Sequence, residues 1–185
     1  MSGSEEETMK HSIKKTMGPI TALALLVLPG LTFTQDPKPF VSKHKGVPVL
    51  LIERVEQIDN LDQGDIIGKN RADFFAVVSI NGVENKTEVY AEDDAHPYWE
   101  IPLDMRSRYS NIVICIMEDD GGLERKDDHV DVSPKPRNKD IRLRYDRFTG
   151  RVSGEVNGQM GQRFILEGKG DDDVARITFK IHKAM

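Results

Sequence analysis

The sequence has little cysteine, no excess of positive charge and no long apolar run. Its single cysteine, Cys115, excludes an intramolecular disulfide. The 26 Lys and Arg residues are outnumbered by 31 Asp and Glu, which argues against non-specific nucleic-acid binding because that requires a basic surface. The apolar run from Ile20 to Leu28 is shorter than the roughly 20 residues that a membrane-spanning helix needs. With 185 residues, 38% of them apolar, the chain is expected to form one globular domain with a tail.

The N-terminal part has the organisation of a secretory signal. A cluster of lysines precedes the apolar run, and Pro29-Gly30 interrupts it. We therefore expect a signal-like targeting segment at residues 1–35, a proline-containing linker at 36–46 and a folded domain at 47–185. This organisation predicts a secreted or periplasmic protein, or a membrane-anchored one if the segment is not cleaved. A cytoplasmic amphipathic tail is the alternative.

From residue 47 onward the sequence shows the period of β-strands. In "VARITFKIH" apolar residues alternate with polar ones, as they do in a strand with one buried face. Asn81-Gly82 follows the apolar run "DFFAVVSI" and is a strong signal for a tight hairpin turn. The segments "GRVSGEVNGQ" and "RFILEG" predict another hairpin. About eight such strands without a helical period predict an all-β fold, an antiparallel eight-stranded Greek-key β-sandwich.

Two acidic segments follow apolar strands. The first lies within residues 59–73, and the second, from Glu118 to Asp131, contains seven carboxylates and only two basic residues. Such charges repel one another unless the loop is well solvated or a cation lies among them. Calcium accepts six to eight oxygen ligands in irregular geometry, and His129 is the only His or Cys in these segments. The sequence therefore favours calcium over zinc or copper, with a solvated loop without an ion as the alternative.

Four motifs follow one another along the chain: "ADFFAVVSI", "HPYWE", "IMEDD" and "KDDHVD". In this order they resemble the C-two domain family, the calcium- and phospholipid-binding conserved region of protein kinase C and synaptotagmins. The residues at the family's motif positions are Asp73, Pro97, Trp99, Glu118, Asp120 and Asp128. The sequence departs from the family where Phe74-Phe75 replaces Pro-Tyr and where Glu118 replaces the first Asp of Asp-x-Asp.

The resemblance implies a calcium site built from loops at one end of the sandwich. The ligands that it implies are Asp62, Asp65, Asp73, Glu118, Asp120, Asp127 and Asp128. The ligand from the first loop is open between Asp62 and Asp65, because that loop is longer than is usual in the family. Calcium would then bridge the acidic loops to anionic head groups.

The resemblance also implies two kinds of membrane contact. The apolar loop tips that would enter a bilayer are Ile66, Ile67 and Leu123, and the alternative is that they fold inward and cap the sandwich. The anion-binding residues would be Lys135, Lys139, Arg142 and Arg144. Alternating basic residues on a strand are also typical of a face that is simply solvated.

Enzymatic chemistry is not expected from this sequence. Cys115 lies in "NIVICIM" and is interpreted as a small buried residue, and no Ser or Cys nucleophile is placed in the sequence to pair with His129. We predict a calcium-binding β-sandwich module that associates with anionic phospholipid surfaces when calcium binds. The alternative is an exported structural or adhesion module in which calcium is permanent and the partner is another protein. No nucleic-acid partner is expected, and the sequence indicates no oligomeric state.

Overall fold

A computed structural model describes residues 44–58, 72–119, 127–171 and 173–185, and these residues form thirteen β-strands and no helix. The strands are β1 (Pro48–Gln57), β2 (Asp73–Ile80), β3 (Val83–Lys86), β4 (Tyr90–Ala91), β5 (Asp94–Ala95), β6 (Trp99–Pro102), β7 (Tyr109–Glu118), β8 (Asp128–Val130), β9 (Ile141–Asp146), β10 (Arg151–Gly154), β11 (Gly158–Gln159), β12 (Arg163–Glu167) and β13 (Ala175–Lys183). A search of these residues for a helix long and apolar enough to cross a membrane finds none. The predicted segment 1–35 and most of the linker 36–46 lie outside the described residues.

The strands form two antiparallel sheets. The smaller sheet has the order β12-β13-β1-β5, with β6 also paired to β1. The larger sheet has the order β11-β10-β9-β7-β2-β3, with β4 paired to β2 and β8 to β7. The predicted antiparallel all-β sandwich is confirmed. More than eight strands are found mainly because three strands each pair, along one edge, with two short successive strands instead of one long strand. β3 and β4 share one edge of β2, β5 and β6 share one edge of β1, and β8 and β9 share one edge of β7.

The sheets pack together through alternating apolar side chains. In β7, Ile112, Ile114 and Ile116 are buried, whereas the residues between them are half-buried. In β13 of the other sheet, Ile177 and Phe179 are buried in the same alternating way and belong to the same core. Removing one such side chain from water contributes about 2 kcal/mol. This shared core determines which residues of each strand face outward, and therefore which polar side chains can meet there.

The chain crosses between the two sheets after β1, β4, β6 and β11. As a result β1 pairs with β13 although they are far apart in sequence, as is typical of Greek-key connections. The last crossing shows that the second predicted hairpin is wrong, because β12 pairs with β13 and not with β10. β10 instead forms a short hairpin with β11, in which Val152 pairs with Gly158, so Asn157-Gly158 is not a tight turn.

Two turns depend on residues that tolerate left-handed backbone. Asn81 and Gly82 have φ of 52° and 84°, and they join Ile80 to its partner Val83, so the predicted hairpin is confirmed. Gly154 ends β10 with φ of 124°. A Cβ atom there would lie 2.3 Å from the carbonyl oxygen of Arg142 in β9, so only glycine allows this close approach.

Candidate functional site

The ends of β2, β7 and β8 bring five carboxylates to one end of the larger sheet. We call this group the acidic end, and its members are Asp73, Glu118, Asp119, Asp127 and Asp128. The Asp119 N–H donates to the carbonyl oxygen of Asp73 at 2.9 Å. Glu118 pairs with Phe74 of β2 on one side and with Asp128 of β8 on the other. The pairing of β7 with both of its neighbours therefore gathers these residues.

The acidic end is buried on one side and open on the other. Glu118 is only 3% exposed, whereas Asp127 and Asp128 are exposed. Within the described part of the chain, Asp127 and Asp128 form no ion pair. Neighbouring carboxylates repel each other, so the negative charges of Asp127 and Asp128 favour a cation beside them.

The structure describes four of the seven predicted calcium ligands, and all four lie at the acidic end. They are Asp73, Glu118, Asp127 and Asp128. The other predicted ligands, Asp62, Asp65 and Asp120, lie outside the described residues, as do the predicted bilayer-contacting residues Ile66, Ile67 and Leu123. Their roles stay predictions. Asp119 joins the group although it was not among the predicted ligands.

Asp131 belongs to the same acidic segment but has a structural role. It is 3% exposed, and its carboxylate accepts hydrogen bonds from the backbone N–H groups of Ser133 (3.0 Å), Lys169 (3.1 Å) and Gly170 (2.6 Å). Its own backbone forms an isolated bridge with Val174. The side chain therefore ties the segment after β8 to the segment before β13, and so connects the two sheets.

The two predicted anion-binding lysines have local partners. Lys135 lies 3.7 Å from the carboxylate of Glu155. The ammonium group of Lys139 donates to the backbone carbonyl of His129 at 2.5 Å and lies 3.3 Å from Asp173. Lys139 thus holds the segment before β9 against β8, which gives this lysine a structural role, and anion binding by Lys135 and Lys139 stays a prediction.

The two predicted anion-binding arginines lie on the outer face of β9. Both side chains are exposed, because Ile141, Leu143 and Tyr145 take the inward positions of the strand. Arg142 lies 3.4 Å from Asp140. The guanidinium group of Arg144 stacks 3.7 Å above the ring of Tyr109. Anion binding by these residues stays a prediction.

A second group of ion-binding side chains lies on the outer face of the larger sheet. We call it the Cys-His-Asp cluster, and its members are Cys115, His129 and Asp140. Nε2 of His129 lies 3.3 Å from Sγ of Cys115 and 2.9 Å from Oδ1 of Asp140. All three ligand atoms lie within 4.8 Å of one another. Sδ of Met117 is a further 3.3 Å from Sγ of Cys115.

The cluster forms at the interruption between β8 and β9. The edge of β7 pairs with β9 as far as Ile114 and with β8 from Ile116 onward, so Cys115 lies opposite the break. The chain leaves the sheet after β8 and returns at β9, which puts His129 and Asp140 beside Cys115. No contiguous motif in the sequence signals this arrangement, because it depends on the register of three strands.

The protonation of Cys115 reflects its surroundings. Burial, and after it the nearby carboxylate of Asp140, raises the pKa of the Cys115 thiol to about 12. The thiol is half-buried and protonated at neutral pH, which is the opposite of the lowered pKa that activates a nucleophilic cysteine. The expectation that no thiol is placed to pair with His129 is wrong, because Cys115 lies directly beside that ring.

No family model and no curated protein sequence matches this chain. Among solved structures it is similar to the C-two domain A of plant extended synaptotagmin 1, with 11% identity, a TM-score of 0.46, and coverage of 76% of this chain and 95% of that one. A structure of the C-two domains A and B of extended synaptotagmin 2 matches with 12% identity and a TM-score of 0.43, over 85% of this chain and 48% of that one.

Human GIVD cytosolic phospholipase A2 is also similar, with 10% identity and a TM-score of 0.39, over 77% of this chain and 17% of that one. The two synaptotagmin structures are C-two domains, the family that the sequence motifs resemble. At these identities the likeness is one of strand arrangement, and it assigns neither a ligand nor an activity to this chain.

Proposed function

We propose that this chain is a calcium-binding module whose calcium-loaded acidic end associates with anionic phospholipid surfaces. One observation carries the proposal: β2, β7 and β8 gather five carboxylates at one end of the sheet. Among them Glu118 is 3% exposed, and the exposed Asp127 and Asp128 form no ion pair within the described residues. A cation at this end would supply a counter-charge for Asp127 and Asp128.

The donors at the acidic end fit calcium. They are all carboxylate oxygens, and Ca²⁺ prefers six to eight oxygen ligands at about 2.3–2.6 Å in flexible geometry. Glu118 and Asp128 are paired in register on adjacent strands and would hold the ion from one face of the sheet, and Asp73 and Asp127 lie beside them at the strand ends. His129, which follows Asp128, is paired in register with Met117 and faces the outer side of the sheet. The soft donors that select zinc or copper are therefore kept apart from this end.

Calcium would change what the acidic end can bind. Without the ion, the negative charges of Asp127 and Asp128 repel the phosphate groups of a lipid surface. With the ion bound, this repulsion is cancelled, and an open coordination position can accept a phosphate or carboxylate oxygen from the head group. The bound ion thus converts an anion-repelling end of the sheet into an anion-binding one.

The test is a vesicle co-sedimentation experiment with the full chain. Vesicles of phosphatidylserine and phosphatidylcholine are mixed with the protein in calcium or in EGTA, and the bound fraction is measured. We expect calcium to increase binding roughly ten-fold or more, and vesicles of phosphatidylcholine alone to bind little in either condition. The Asp127→Asn, Asp128→Asn double variant should lose the calcium dependence.

The matched control is the double variant Glu84→Gln, Glu88→Gln. It makes the same change in net charge at two exposed residues outside the acidic end, and it should bind vesicles as the unmodified chain does. Equal losses in the two double variants would show a general charge effect and reject the acidic end as the site. Calcium that raises the melting temperature without vesicle binding would replace the proposal with a structural role for the ion. No response to millimolar calcium would reject calcium binding altogether.

A further inference from the structure

The Cys-His-Asp cluster brings three different metal-ligating atoms together. Nε2 of His129 is close to both Sγ of Cys115 and Oδ1 of Asp140, at 3.3 Å and 2.9 Å. The thiol and the ring can both donate to the carboxylate of Asp140, so hydrogen bonds hold the three side chains together without an ion. Three ligand atoms that converge on one point are also what the coordination of a small cation requires.

We propose that Cys115, His129 and Asp140 form a binding site for a zinc-like divalent cation. The donor set is one sulfur, one nitrogen and one oxygen, which are the three ligand types of protein zinc sites. The cation would displace the thiol proton of Cys115 to the solvent, because the thiolate is the form that binds a metal. The nitrogen and oxygen belong to residues that are partly exposed, with 39% and 20% of their side chains accessible, so an ion can enter from the solvent. Three protein ligands leave a fourth tetrahedral position for water or an added ligand.

The groups around the cluster leave its ligand atoms available. Arg142 contacts Asp140 through Oδ2 at 3.4 Å, so Oδ1 remains directed at His129. Asn138 donates to the backbone carbonyl of Asp140 at 2.9 Å, and this bond positions the residue without using its carboxylate. Lys139 donates to the backbone carbonyl of His129 at 2.5 Å and likewise leaves the ring free. The surroundings therefore orient two of the three ligands.

A cation in this cluster would connect three strands at the point where their pairing is interrupted. Cys115 belongs to β7 and His129 to β8, and Asp140 directly precedes β9. The ion would hold the two sides of the break together in place of the missing ladder hydrogen bonds. The site is distinct from the acidic end, because Glu118 faces the core whereas Cys115 and His129 face outward, and the proposal does not depend on calcium binding.

The test measures Zn²⁺ binding by the full chain after treatment with EDTA and a non-thiol reductant. Isothermal titration should show one Zn²⁺ per chain. Co²⁺ in place of zinc should give a near-ultraviolet thiolate-to-metal charge-transfer band and visible bands typical of tetrahedral cobalt. Cys115→Ser and His129→Gln should each weaken Zn²⁺ binding by more than about 100-fold, because each removes a ligand, and loss of a supporting residue alone costs 10–100-fold.

Two controls identify where the zinc binds. His96→Gln removes an exposed histidine that lies 3.4 Å from Asp94, and Asp127→Asn with Asp128→Asn alters the acidic end. Both variants should keep the affinity of the unmodified chain. An equal loss in either control, or full binding by Cys115→Ser, would place zinc elsewhere and overturn the proposal.

A measurement on the unmodified chain covers the case in which Cys115→Ser does not fold. Zn²⁺ should slow the alkylation of Cys115 by N-ethylmaleimide, and EDTA should restore the original rate. Alkylation at the same rate with and without zinc would overturn the proposal. The absence of the cobalt charge-transfer band would do so as well.

Discussion

Two parts of strand β7 offer a cation different chemistry. Its last residue, Glu118, belongs to an end made of carboxylate oxygens, whereas Cys115, three residues earlier, belongs to a cluster of sulfur, nitrogen and oxygen. The alternation of side chains keeps the two apart, because Glu118 faces the core and Cys115 and Met117 face outward. Residues that almost adjoin in sequence can thus serve a hard and a softer cation without sharing a ligand.

The greatest loss of stability should come from replacing Asp131, which holds the fold, and not from replacing the acidic residues that we propose as calcium ligands. Asp131→Ala should lower the free energy of unfolding by about 3 kcal/mol, because three backbone N–H groups lose a charged acceptor. Urea denaturation measures it. Asp127→Ala, an exposed neighbour in the same acidic segment, is the control and should stay within about 0.5 kcal/mol of the unmodified chain. Similar losses in the two variants would contradict the distinction.

A stability measurement should distinguish the proposed calcium site from the proposed zinc site. Calcium at about 100 times its dissociation constant should stabilise the chain by about 2.7 kcal/mol, because the proposed site at the acidic end exists only in the folded chain. Thermal melting in calcium and in EGTA measures the shift. Asp127→Asn with Asp128→Asn should abolish it, whereas Cys115→Ser should retain it. A calcium shift that disappears in Cys115→Ser would mean that the two sites are not independent.

Two further carboxylates are paired with arginines. Their contribution to the stability of the folded chain is smaller and depends on pH. A side-chain bond from Arg106 lowers the pKa of Asp104 from 3.8 to about 2, and Arg108 does the same for Asp146. Both pKa values are lower in the folded chain, so these ion pairs stabilise it above about pH 4, and this contribution is lost as the pH falls from 3.8 towards 2.

Acid titration followed by the fluorescence of Trp99, the only tryptophan, should therefore show unfolding within this range. Arg108→Gln should move the midpoint slightly upward, because the pKa of Asp146 returns towards its usual value. Lys135→Gln, which alters a more loosely held pair with 3.7 Å between its charged atoms, is the control and should leave the midpoint unchanged. An unchanged midpoint in Arg108→Gln would contradict the attribution of the lowered pKa of Asp146 to Arg108.

The smallest expected effect concerns the thioether beside the Cys-His-Asp cluster. Met117→Leu conserves volume and should change the stability by less than about 1.5 kcal/mol. Because Cys115, His129 and Asp140 already supply three ligands, the affinity for Zn²⁺ in the same titration should also be nearly unchanged. A loss of affinity comparable to that in His129→Gln would make Met117 a fourth ligand and the cluster a softer site than we propose.

The sequence predicts the strands well because their apolar residues alternate, and it predicts the acidic end because the carboxylates are contiguous. It does not separate Asp131 from its neighbours, since composition alone cannot show which carboxylates accept backbone N–H groups. The hairpin of β10 and β12 was wrong for a related reason. Gly158 pairs with Val152 instead of forming the predicted turn, and the partner of β12 lies in the other sheet, which only long-range packing decides.

The Cys-His-Asp cluster is the clearest case of a feature that could not be predicted from the sequence. Cys115, His129 and Asp140 are separated by residues with no recognisable ligand spacing. Their meeting depends on where β8 ends and β9 begins along the edge of β7, and a register shift of one residue would turn Cys115 into the core.

The pairing of β1 with β13 has a consequence for the cell that makes this protein. Pro48 pairs with Lys183, so β1 leaves the ribosome long before the strand that completes its sheet. During that interval Leu50 and Ile52, which are fully buried in the finished domain, can pair with β6 but not with β13. Sandwiches with such distant pairings fold slowly, and their exposed strands are prone to aggregation. The nascent chain is therefore a natural client for chaperones until its final strand has been synthesised.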